Sequence, residues 1–110
     1  MNIKDYKKAI IILEDITEEE VYSELSKALI NAYFDNGEHK KALDLCNKIS
    51  ENSIEPIIHI TEIKSVIYES IGALEKAIFT CENYLNIYPE DQLILVRIAF
   101  LYARKKEINM

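Results

Sequence analysis

An all-α fold built from a repeated helical hairpin is predicted by two features of the chain. The first is a pattern that returns after 35 residues: Tyr33, Gly37, Ala42 and Cys46 come back as Tyr68, Gly72, Ala77 and Cys81. A helix–turn–helix unit recurring at such a period is the mark of a helical repeat array. The second is composition. The 110 residues include only two glycines and two prolines, and valine occurs at Val21, Val66 and Val96 alone, while alanine, leucine, lysine and glutamate are common. Few breakers favour long regular elements, and those four residues favour helix. The length suits one domain, large enough to bury about two-thirds of its unfolded-chain surface.

Each element has its own warrant. Residues 1–16 place Tyr6, Ala9, Ile10, Leu13 and Ile16 on one wide apolar stripe, the spacing of an amphipathic helix. Thr17 followed by Glu20 is a capping-box pattern, and Glu18 and Glu19 suit the positive end of a helix dipole. A second helix is therefore expected from about Glu18 to Asp35, stopped at Asn36-Gly37, where glycine takes a left-handed cap. Glu38 to Ile49 forms the third. Ser50, Asn52 and Ser53 make a polar break, with Ser53 expected as the next N-cap and Pro56 inside the first turn, where a missing amide costs little. Ile60, Ile63, Ile67 and Ile71 carry a fourth helix to Gly72 at three- and four-residue steps. The fifth, Ala73 to about Ile87, turns Leu74, Ala77, Cys81, Tyr84 and Leu85 inward. Tyr88-Pro89 ends it, because proline disfavours helix in the residue before it. Asp91 to Lys106 makes the sixth.

Charge narrows the function classes. A net charge of −6 argues against nucleic acid, whose phosphates require a basic face. Six acids and no base lie between Glu14 and Glu24, whereas Arg97, Arg104, Lys105 and Lys106 gather near the C-terminus. Clusters of this kind are ordinarily solvated helix faces. No apolar run approaches membrane-spanning length, and no secretory signal is visible. Cys46 and Cys81 have no neighbouring histidine cluster, which points to reduced thiols in a cytoplasmic protein, buried as small hydrophobes. Catalysis finds no constellation. His39 and His59 lack a serine or cysteine partner in sequence and are expected to be solvated, and Gly37 and Gly72 are isolated turn glycines, not a phosphate loop. Neither metal nor cofactor is expected.

These residues resemble the tetratricopeptide repeat family, whose pattern is W-x2-L-G-x2-Y, A-x3-F and P over about 34 residues. In one copy Leu29, Tyr33, Gly37 and Ala42 match, while Ser26, Ile30 and Cys46 replace the tryptophan, the small glycine and the phenylalanine. In the next, Ser65, Tyr68, Gly72, Ala77 and Pro89 fit, and Cys81 again stands for the aromatic. Leu95, Ile98, Ala99 and Tyr102 fit a third opening helix, and Asp5-Tyr6 before Ala9 fits a closing one. The resemblance covers nearly the whole chain and implies a right-handed α–α superhelix of antiparallel hairpins with about six helices. Its divisions are a closing half-repeat at 1–16, repeats at 18–53 and 54–89, and an opening half-repeat at 90–110.

The resemblance also implies a function: a non-catalytic protein-interaction module holding a peptide or partner helix in a concave groove. Carried onto this chain, the groove is lined by Lys27, Asn31, Phe34, Ile63, Val66, Arg97, Phe100 and Arg104, with an arginine available for an acid on the ligand. Lys27, Asn31 and Arg97 also match part of the carboxylate clamp with which one subfamily holds chaperone tails, but Ile63 and Leu93 depart from it. The stretch Leu93–Ala103 is apolar nearly all round, as expected either of a piece of a longer array or of a self-associating end in which Leu93, Val96 and Phe100 form a homodimer. The alternative is a regulatory or oligomerisation domain of a larger multidomain enzyme or transcription regulator.

Overall fold

The computed structural model describes residues 3–16 and 22–108. Those residues form α1 (Ile3–Ile16), α2 (Glu24–Asp35), α3 (His39–Glu51), α4 (Ile58–Ser70), α5 (Leu74–Ile87) and α6 (Gln92–Ile108), with no strand among them. The chain divides into two compact units, Met1–Ile54 and Glu55–Met110. In the first, α2 packs against both α1 and α3. In the second, α5 packs against both α4 and α6, and α4 also touches α6.

The two hairpins turn by the same device. Gly37 and Gly72 have φ of 78° and 83°, the left-handed region that costs glycine nothing. At the end of α2 the amide of Glu38 donates to the Tyr33 carbonyl at 2.8 Å, and that of Gly37 to the Phe34 carbonyl at 3.0 Å. At the end of α4, Ala73 donates to Tyr68 at 2.8 Å and Gly72 to Glu69 at 3.0 Å. This paired bonding is the Schellman cap, which satisfies carbonyls that a helix end leaves unpartnered. The sequence repeat is thus a repeat of hydrogen bonds as well.

Helix starts differ from expectation in two places. The Thr17–Glu20 capping pattern lies outside the described residues, but α2 itself begins only at Glu24. Ser23 is its N-cap in extended backbone, and Ser23 and Ser26 cap each other reciprocally: the Ser26 amide donates to Ser23 Oγ, and the Ser23 amide to Ser26 Oγ at 2.7 Å. A helix running unbroken from Glu18 is ruled out by that extended residue. Likewise Ser53 does not cap α4. Its hydroxyl turns back and donates to the Ile49 carbonyl at 2.9 Å, closing α3, while α4 starts at Ile58 with no side-chain cap. Pro56 therefore precedes the helix instead of sitting in its first turn.

The core of the second unit joins Ala77, Ile78, Cys81 and Tyr84 of α5 to Ile94, Ile98 and Leu101 of α6, with Ile58, Tyr68, Leu74, Leu85 and Tyr88 packed around them. Burying each large aliphatic side chain contributes about 1.5–3 kcal/mol. Asp91 fixes where α6 begins: its carboxylate accepts from the Ile94 amide at 3.2 Å and from the Tyr84 hydroxyl at 3.0 Å. Burial and that carboxylate push the Tyr84 phenol up to about 12. In the first unit Leu29, Ile30, Tyr33, Ala42, Leu45, Cys46 and Ile49 are buried, and the Tyr33 hydroxyl bonds to Glu14 of α1.

The glycine caps are directly testable. No atom lies within 4 Å of a Cβ built on Gly37 or Gly72, so a side chain there meets backbone strain and no clash. Gly37→Ala and Gly72→Ala should each cost about 1–2 kcal/mol in urea denaturation, with valine worse and asparagine milder. Wild-type stability in both alanine variants would contradict this account of the turns.

Candidate interaction surface

Helix α6 presents three apolar stripes. Ile94, Ile98 and Leu101 are buried against α5. On one side of that stripe Leu93, Val96 and Phe100 are exposed, and on the other side so are Leu95, Ala99 and Tyr102. At 3.6 residues per turn, the two exposed stripes lie about a third of a turn to either side of the buried one. A helix apolar all round is ordinarily buried all round.

Between the Leu93–Val96–Phe100 stripe and α4 sits a polar cluster. The Arg97 guanidinium donates through Nε to Ser65 Oγ at 2.9 Å and through a terminal nitrogen to Glu69 Oε1 at 2.6 Å. Arg104 reaches the other Glu69 oxygen at 2.9 Å. The Ser65 hydroxyl itself donates to the Glu62 carbonyl at 2.7 Å. Arg97 and Glu69 are largely buried, whereas Arg104 is nearly half exposed. One carboxylate thus serves two guanidinium groups, and Arg97 also lies 5.8 Å from the Phe100 ring centroid. The arginines assigned to a ligand's acid are therefore already engaged within the unit. Ser65, expected only as a small residue permitting close helix approach, is a polar hub. A basic residue on α6 recurring after seven positions, facing an acid on α4, was the available signal for this pairing.

The other groove residues fall as follows. Lys27, Asn31 and Phe34 lie on α2 of the first unit, with Asn31 exposed and the other two half-buried. Phe34 meets the His39 ring at a centroid distance of 5.3 Å. His39 is thereby half-buried instead of solvated, and its Nδ1 is buried without a hydrogen-bond partner. Ile63 and Val66 lie half-buried on α4 of the second unit, which also carries Arg97, Phe100 and Arg104. A shallow pocket of about 200 Å3 in the first unit is lined by Tyr33, Lys41, Asp44, Leu45 and Lys48, with the Lys41 ammonium 5.7 Å from the Tyr33 ring centroid.

Cys46 and Cys81 are free and fully buried. Burial pushes the Cys81 thiol up, outweighing the opposing pull of the Ser65 hydroxyl and Arg97. Among the described residues no group of three or more His, Cys, Asp or Glu is placed to hold a metal ion, and no helix is long and apolar enough to cross a membrane. Comparison with protein-family models, curated proteins and solved structures gives no match.

Glu69→Gln leaves Arg97 largely buried without its counter-charge and should cost about 1–3 kcal/mol in urea denaturation. Arg104→Gln, at a more exposed pair, should cost less than about 1 kcal/mol. Equal losses in the two variants would sink the assignment of Arg97 as the principal partner. Both thiols should react with a thiol reagent at least about a hundredfold more slowly in buffer than in urea, because labelling requires opening of the fold. Rapid native labelling of either cysteine would contradict its burial.

Proposed function

We propose that this chain is a non-catalytic protein-interaction module of the tetratricopeptide kind, which engages a peptide or partner helix and also self-associates through its end helices. The observation that carries the reading is the exposed stripe Leu93–Val96–Phe100 on α6, an apolar surface beside the neutralised Arg97–Glu69–Arg104 cluster. Contiguous exposed apolar side chains bordered by polar groups are typical of interaction sites. The 35-residue recurrence of glycine caps supports the repeat-scaffold part of the reading. The character of the thiols supports the non-catalytic part: both are buried, and Cys81 is held toward its neutral form, unlike an activated nucleophile.

With both arginines engaged by Glu69, the ligand is expected to be chiefly apolar or amphipathic, docking as a helix or extended segment. Panning a peptide library against the chain should enrich sequences with two or more large apolar residues. Phe100→Glu should weaken the enriched peptides about tenfold or more by isothermal titration calorimetry, with helicity unchanged. A library yielding no enriched sequence, or peptides indifferent to Phe100→Glu, would overturn the reading.

A further inference from the structure

We propose that the Leu95–Ala99–Tyr102 face of α6 receives helix α1 of a second copy of this chain, so that copies join head to tail. The inference rests on the self-association part of the reading above and assigns it a face and an occupant.

The repeat register shows what this face is for. Leu95, Ala99 and Tyr102 are the counterparts of Ser26, Ile30 and Tyr33 on α2 and of Thr61, Ser65 and Tyr68 on α4. The backbone agrees for α4 and α6: the Thr61 amide donates to Ile57 and the Leu95 amide to Asp91, opening those two helices alike. On α2 and α4 these positions face the following helix. Tyr33 shares a pocket with Lys41 and Leu45 of α3, Ser65 lies beside the Cys81 thiol of α5, and Tyr68 joins the α5 core. Two copies of the face are covered and the third is bare. Ile30 and Tyr33 are 1% and 6% exposed, whereas Leu95 and Tyr102 are 41% and 47% exposed.

The helices that cover such a face here are α3 and α5, which present Ala42 and Cys46, or Ala77 and Cys81, all fully buried. Helix α1 is the third of that type, with Ala9 and Leu13 in their places and Ile12 standing where Leu45 does. It packs on α2 and buries Ile10, yet its own equivalent stripe is only partly covered. Ala9 and Leu13 are half-buried, and Ile12 is 60% exposed where Leu45 is 4% exposed. The open α6 stripe and the part-covered α1 stripe are therefore the two halves of a contact that the chain makes twice internally. An antiparallel α1 would set Leu13 beside Ala99, as Cys81 lies beside Ser65, with Ala9 toward Tyr102. The contact joins unlike surfaces, so it propagates into a ladder or closes a ring.

Sedimentation equilibrium of the full chain should show mass rising with concentration. Leu95→Glu and Ile12→Glu, both at exposed sites, should each keep wild-type helicity and weaken association by at least about a hundredfold. Mixed together they should form a one-to-one pair, because the first retains a sound α1 and the second a sound α6. Phe79→Glu, at an exposed residue of α5 outside these stripes, should associate as wild type does. Should Leu95→Glu lose helicity, Tyr102→Arg carries the same test from the other end of the face. A monomer at every concentration, self-association by either single variant at wild-type strength, or a mixture that stays monomeric would overturn the proposal. A monomeric wild type that still binds enriched peptides in a Phe100-dependent way would remove this assembly while leaving the interaction module standing.

Discussion

Both hairpins hang on one residue type in one conformation, a glycine at positive φ directly after a helix. That geometry lets two backbone amides turn back onto the last helical carbonyls, and only after such a reversal can the next helix lie antiparallel to the one before. Everything placed by α3 and α5 follows from it. Ala42 and Cys46 are brought over α2, and Ala77 and Cys81 over α4, where small side chains allow the helices to approach closely. A residue with a Cβ would have to be held in the left-handed region against its steric preference. Since no neighbouring atom crowds either glycine, the requirement is one of backbone conformation and not of space.

A second constraint shapes the surface of α6. Glu69 draws both Arg97 and Arg104 back toward α4, and Ser65 holds the Arg97 Nε. This hydrogen-bonded arrangement lets Arg97 stay largely buried, where an uncompensated charge would be costly. It also changes the chemical character of the adjoining surface. Groups that sequence suggests as ligand-facing cations are neutralised locally, leaving apolar side chains as the main contacts on offer. The same cluster lies near the Cys81 thiol, whose burial outweighs the positive charge beside it.

Helix α6 gathers these effects. One stripe completes the core of its unit, a second borders the arginine cluster, and a third stands in register with faces that α2 and α4 have covered. Polar contacts hold it at both ends: Asp91 at the start, the Lys105–Glu75 ion pair at 2.6 Å and the Tyr102–Glu82 hydrogen bond at 3.0 Å to α5 near the end. A helix so anchored presents its remaining apolar surface on a rigid support, which limits the ordering cost of an interface built upon it.

Much of the helical order could be read from the chain alone, because it depends on interactions within a turn or two. The stops at Gly37, Gly72 and Tyr88-Pro89 are of this kind, and helical spacing also marked the inward face of α5 that carries Cys81. Local chemistry became ambiguous where one side chain had two nearby partners. Ser53 could cap forward or bond backward to Ile49, and the Ser23–Ser26 pair that opens α2 is a less familiar pattern than Thr17–Glu20. Longer range decided the rest. Periodicity is silent on which stripe of α6 is buried, since apolar residues surround the helix, and contact with α5 selects Ile94, Ile98 and Leu101. Nor does position in the chain pair Arg97 with Glu69, 28 residues away; packing of α6 against α4 brings those charges within hydrogen-bonding distance. Sequence by itself determined where helices form and turn, through backbone preference and short-range spacing. Tertiary structure alone decided which surfaces were consumed and which remained free, because burial and ion pairing depend on neighbours distant in the chain.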